Sequence, residues 1–172
     1  VLAICHKTKF ENNPMVDKAL IVAPYEVNKH KLEYQLTDQL VKGFDLNNGF
    51  FHIEAKKIGN SLSLIEWTPR GCGARLSSIL LSKMYDENIP RIRVGMLKNN
   101  YQLPKLRYPE NVGLLQFFES EITDLESLHT NIKKYVTRYI LCLDYFDIKN
   151  VLIKKNPILD GRSRPGNIIA IG

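Results

Sequence analysis

Residues 49–73 read GFFHIEAKKIGNSLSLIEWTPRGCG, and the fold depends on how this stretch turns back on itself. Phe51, Ile53 and Ala55 share one parity, and Ser63, Ile65 and Trp67 share another. That is the period-two pattern of strand side chains, so the stretch is predicted to form a β-hairpin. With a turn centred on Asn60, residues equidistant from Asn60 face each other. Ile53 then opposes Trp67, Ala55 opposes Ile65, and Ile58 opposes Leu62. One face is largely apolar and is expected to pack on a helix layer. The other carries His52, Glu54 and Lys56 on one strand and Leu64, Glu66 and Thr68 on its partner, which sets Glu54 directly against Glu66.

Like charges across a strand pair destabilise it by up to about 1 kcal/mol, and burial drives one carboxylate to hold its proton. A hard divalent cation removes the conflict, because Mg²⁺ takes carboxylate oxygens together with phosphate oxygens and water. An exposed face on which Lys56 and nearby bases screen both acids removes it without a metal. A zinc site on His52, Glu54 and Glu66 fits less well, since zinc favours more His or Cys ligands than the hairpin offers. Spacing alone does not choose between a metal and a screened pair.

Working outward, Leu2–Thr8 and Lys18–Ala23 read as strands. Between Asn28 and Leu46, the apolar residues Leu32, Leu36, Leu40 and Val41 recur with helical period, and Asn28 is placed to cap that helix. After the hairpin, PRGCG is a loop by its proline and glycines. Leu76–Tyr85 is expected to be a helix ending before Pro90, followed by an irregular region around Pro104 and Pro109. Further strands are expected at Val112–Phe118, Tyr139–Phe146, Val151–Lys155 and Asn167–Ile171, with a helix at Leu125–Arg138. Hairpins and helices mixed in this way, rather than a regular βαβ alternation, predict the α+β class.

Bulk properties narrow the options. The chain has 172 residues, 44% hydrophobic and 24% charged, which is long enough to bury a core without disulfides. No apolar run reaches the roughly 18 residues needed to span a bilayer, and VLAICHKTKF has none of the regions of a signal peptide. The absence of an initiator Met and the apolar opening suggest a fragment. Cys5, Cys72 and Cys142 lie far apart and give neither a disulfide framework nor a zinc spacing, so a reducing, cytoplasmic setting is expected. The net charge of +6 favours anionic partners. Its 24 Lys and Arg are scattered among 18 acids, however, which disfavours nucleic acid.

GFFHIEAK, the twelve-residue step from Glu54 to Glu66, and IEWTPRGCG resemble the metal-binding hairpin of ATP-grasp enzymes. In that family an acidic residue on one strand is followed by Glu-x-Asn-x-Arg on the next, often with glycines after it. Glu54 matches the first acid, Glu66 the second and Arg70 the arginine, while Thr68 stands where the family has Asn. The resemblance is strongest over Asn28–Ser82. DGRSRPGNIIAIG looks like the end of a small β-rich cap, though a plain turn between strands accounts for Arg162 and Arg164 as well.

The resemblance implies the C-terminal half of an ATP-grasp fold, an antiparallel sheet with helices over 1–95, plus a small cap over 96–172. It implies a carboxylate–amine ligase using ATP and Mg²⁺, in which an acyl phosphate is formed and an amine displaces the phosphate. Glu54, Glu66 and Thr68 would be metal ligands. Arg70 would be catalytic, steadying the transferring phosphoryl group or the substrate carboxylate. Gly71 and Gly73 would let backbone approach the anion, or form an ordinary strand-to-helix turn. The Gly-rich loop and phosphate-binding lysines of the family's other half are not visible ahead of Val1, so the chain alone is expected to be inactive or nearly so. A regulatory module binding a nucleotide or metabolite, and a basic domain binding nucleic acid, are the alternatives from other classes.

Overall fold

The computed structural model describes residues 1–22, 29–46, 48–73, 75–98, 101–107, 109–117, 139–145 and 166–171. The expectations for Asn28, for a helix at 125–138, for a strand at 151–155 and for Arg162 and Arg164 lie outside these residues. The chain divides into two compact units, each assembled from two segments: Val1–Ile4 with Pro24–Pro109, and Cys5–Ala23 with Glu110–Gly172.

The second unit is an antiparallel sheet. Its strands are β1 (Cys5–Lys9), β2 (Asp17–Val22), β5 (Gly113–Phe117), β6 (Tyr139–Tyr145) and β7 (Gly166–Ile171), in the order β1-β2-β5-β7-β6. β5 shows why it lies at a half-covered position. Leu115 and Phe117 point into the core while Gln116 between them is exposed, the alternation of a strand with one face in water. β7 differs, since Asn167 to Ile171 are all buried, as the continuous apolar run IIAI requires. The register lines up Leu20, Leu115 and Ile169 across three strands. Leu115 and Ile169 are fully buried, worth roughly 1.5–3 kcal/mol each. β1 begins three residues later than expected, and its lysines are held at the rim: Lys9 Nζ lies 2.6 Å and Lys7 Nζ 3.6 Å from the Asp17 carboxylate.

The first unit contains the hairpin β3 (His52–Ile58) and β4 (Ser61–Thr68), with helix α1 (Lys31–Gly43) against β4. Past the hairpin, a wide π-helical segment, Leu76–Leu81, runs into α2 (Ser82–Tyr85), and α3 (Ile89–Met96) follows. Leu76, Leu80, Leu81, Tyr85, Ile89 and Ile92 form the buried core of these turns. The Tyr85 hydroxyl donates to the Leu2 carbonyl, fixing the first residues of the chain to this unit. Ser82 joins α2 to α3: its Oγ donates to the Ser77 carbonyl at 3.1 Å and accepts from the Ile89 amide at 3.2 Å.

Two sequence expectations need correction here. The region after Tyr85 is not irregular throughout, because α3 occupies Ile89–Met96. Pro90 sits in the first helical turn, where its missing amide leaves no bond unmade. Asn88 caps that turn by accepting from the Arg91 amide at 2.9 Å. The expected helix over 76–85 is also π-helical for its first six residues.

Candidate functional site

The register of the hairpin places Glu54 opposite Glu66, Ile53 opposite Trp67 and His52 opposite Thr68. The turn, however, is not centred on Asn60. Gly59 and Asn60 form a two-residue turn, with Gly59 at φ 58°, a conformation that suits glycine. Ile58 therefore faces Ser61, Lys57 faces Leu62, and Ala55 faces Leu64. A bulge between Glu54 and Ala55 leaves Ile65 as the extra residue on β4, and the expected pairing resumes beyond it. Leu64, not Ile65, thus shares the face of Ala55. Ile65 is 66% exposed.

The apolar face packs only at the base of the hairpin. The Trp67 ring lies 4.7 Å from Phe44, just past α1, and 6.2 Å from Phe51. Those ring contacts fix the strand segment whose next residues, on the opposite face, carry the polar groups.

On that face each glutamate has a base nearby, His52 on the strand of Glu54 and Arg70 in the loop that follows the strand of Glu66. His52 Nε2 lies 3.7 Å from Glu54 Oε1, and Arg70 Nη2 lies 3.7 Å from Glu66 Oε1. The Glu54 side chain is 30% exposed and that of Glu66 is 49%, so both can reach a bound ion and neither is sealed in the core. Thr68 stands opposite His52, two positions beyond Glu66, and so shares their face. Its Oγ1 is buried and has no hydrogen-bond partner among the described residues. A buried hydroxyl without a partner costs about 1–3 kcal/mol, and a ligand that binds it removes that cost. No group of three or more His, Cys, Asp or Glu side chains among the described residues is arranged to hold a metal ion. A cation here would need oxygens from outside that set, such as the Thr68 hydroxyl, phosphate and water.

The loop after β4 is built around Arg70 and Gly71. The Arg70 amide donates to the Thr68 carbonyl at 2.8 Å, and Arg70 Nη1 donates to the Gly71 carbonyl at 3.0 Å. The arginine thus bridges Glu66 and the loop. Gly71 and Gly73 differ in their surroundings. A Cβ on Gly71 would lie 3.1 Å from Ser77 Oγ, whereas one on Gly73 would meet nothing within 4 Å. Gly73 serves the turn instead, its carbonyl accepting from the Leu76 amide at 3.0 Å. Ser77 holds the loop to the π-helical segment: its Oγ donates to the Cys72 carbonyl at 3.2 Å and lies 2.9 Å from Cys72 Sγ. Sequence reasoning did not single out Ser77 or Phe44. A lone serine in LSSILL carries no local signal, and Phe44 follows the helix that brings it to Trp67.

No family model and no curated protein matches this chain. Solved structures do. The crystal structure of L-amino acid ligase from Bacillus licheniformis is similar with a TM-score of 0.75 at 16% identity, over 99% of this chain and 43% of that one. That of phosphoribosylglycinamide synthetase from Anaerococcus prevotii is similar with a TM-score of 0.69, also at 16% identity, over 97% of this chain and 43% of that one. At such identity the likeness is one of fold. The chain has the α+β fold of ATP-grasp ligases, in keeping with a C-terminal part of it. It spans 43% of the length of either neighbour.

Proposed function

We propose that this chain is the metal- and phosphate-binding part of an ATP-dependent ligase that activates a carboxylate as an acyl phosphate and joins it to an amine or similar nucleophile. The observation that carries the reading is the polar hairpin face, where Glu54 opposes Glu66 beside a Thr68 hydroxyl that has no hydrogen-bond partner among the described residues. The ATP-grasp fold supplies the context.

The donor set fits Mg²⁺, since all three side chains offer oxygen and the site is open enough for phosphate and water to complete the shell. Glu54, Glu66 and Thr68 would hold the ion, which when bound neutralises the charge of the ATP phosphates. Arg70, bridging Glu66 and the Gly71 carbonyl, is placed to steady the transferring phosphoryl group or the acid. Positioning and charge neutralisation are most of what phosphoryl transfer requires. Gly73, open on its Cβ side, leaves room for an anion at the loop. A cytoplasmic setting fits an ATP-consuming reaction and cysteines Cys5 and Cys72 that are not in a disulfide among the described residues.

The activity is proposed for the whole protein, and the chain alone is expected to turn over ATP slowly or not at all. The decisive experiment is Glu66→Gln in the whole protein, with Mg²⁺-dependent phosphate release as the readout. Unchanged release would sink the reading. Thr68 in the family's Asn position favours a second reading, a regulatory module that binds nucleotide without turnover. Saturable Mg-ATP binding with no phosphate release across a panel of acids and amines would select it.

A further inference from the structure

Side chains from three places in the first unit converge on Gly71. Arg70 Nη1 donates to its carbonyl at 3.0 Å. The position of a Cβ on Gly71 lies 3.1 Å from Ser77 Oγ and 3.7 Å from Arg93 Nη1. Arg93 comes from α3, whose inner side is anchored by buried Ile89, Ile92 and Gly95. It is exposed and has no acidic partner among the described residues. Arg70, by contrast, turns its other terminal nitrogen to Glu66 at 3.7 Å. Two guanidinium groups therefore border one glycine, and Glu66 is the sole acid paired with either among the described residues.

We propose that Arg70, Gly71 and Arg93 form a cradle for a small oxyanion, with Arg93 a direct binding residue. Adjacent like charges repel, and an anion between them turns repulsion into two favourable contacts. The planar fork of a guanidinium matches the paired oxygens of a carboxylate or phosphoryl group. The missing side chain at Gly71 leaves the room that Ser77 and the Arg93 guanidinium take beside the loop. Ser77, tied to Cys72, keeps the loop in place. That the anion is the acid substrate, or the phosphoryl group transferred to it, rests on the ligase reading above.

The test is an NMR titration of the isotope-labelled full-length protein with sodium phosphate and, separately, with sodium acetate, following the Gly71 amide and the Arg70 and Arg93 Nε–Hε signals. Saturable shifts at all three are expected with at least one anion. Phosphate alone assigns the transferred group, and acetate as well assigns the acid. Arg93→Gln should weaken binding about tenfold, with Arg93→Lys intermediate and the thermal midpoint of both unchanged. No saturable shift at Gly71 with either anion, or equal affinity in Arg93→Gln, overturns the cradle. ATP turnover separates the two ideas. If Glu66→Gln abolishes turnover while Arg93→Gln binds anions normally, the cradle falls and the ligase reading stands. If the cradle binds anions but the protein never consumes ATP, only the cradle survives.

Discussion

Thr68 faces His52 across the hairpin on the side that carries Glu54 and Glu66, and its hydroxyl oxygen is buried without a hydrogen-bond partner among the described residues. Thr68→Val keeps the shape and removes the orphaned oxygen. The variant is expected to be more stable by about 1 kcal/mol, read as a higher thermal midpoint without ligand. Its apparent affinity for Mg²⁺ in the presence of an ATP analogue should fall several-fold. An unchanged response to Mg²⁺ would show that the hydroxyl is no ligand.

Glu66→Gln removes a charge whose described partner is the half-exposed Arg70 at 3.7 Å. Exposed pairs of this kind contribute little to stability, so the thermal midpoint should scarcely move. Turnover by the whole protein should drop about a hundredfold or more, the scale typical of losing a group that stabilises transition-state charge. Steady-state phosphate release against Mg²⁺ concentration measures it.

The two loop glycines should respond differently to alanine. At Gly71 the new methyl lies 3.1 Å from Ser77 Oγ, so the serine must shift and its hold on Cys72 loosens. At Gly73 the methyl enters open space, and reduced freedom of the unfolded chain should stabilise by up to about 1 kcal/mol. Paired denaturant melts of Gly71→Ala and Gly73→Ala decide it. Equal effects would contradict the geometry.

Gly95 is buried within α3, where helix propensity alone predicts that alanine stabilises by about 1 kcal/mol. Its Cβ would collide with the Tyr101 ring. Gly95→Ala is therefore expected to destabilise by about 1–3 kcal/mol, and Gly95→Ala combined with Tyr101→Ala should recover much of the loss.

The facing glutamates were legible in the sequence, but through two deviations that offset each other. A turn centred on Asn60 predicts Glu54 against Glu66. The true turn at Gly59–Asn60 shifts the register by one, and the bulge at Ile65 shifts it back. Parity could not reveal this, because the extra residue is apolar and exposed and looks like one more strand position. α3 was missed because Pro90 reads as a stop, although Asn88 two residues earlier is the capping signal that makes it a start. The strands β2, β5, β6 and β7 were visible one by one from their apolar runs, and β1 only in part, since the apolar run at the start of the chain lies mostly ahead of it. Their neighbours in the sheet were not, since pairing between β2 and β5 joins segments with the longer segment of the first unit, Pro24–Pro109, between them in the chain. The approach of Arg93 to Gly71 is non-local in the same way and leaves no trace in spacing.

The sheet order β1-β2-β5-β7-β6 also sets a timetable for synthesis. As the chain leaves the ribosome, β1 and β2 can pair at once, but Leu20 waits for Leu115, and Leu115 in turn for Ile169. Until then one edge of β2 stays open, with Leu20 and Val22 uncovered, while every element of the first unit has already emerged. Nascent chains stalled before Gly113 should therefore depend on chaperones to shield that edge, and once β5 covers it the exposed edge becomes that of β5, which stays open until β7 has been made.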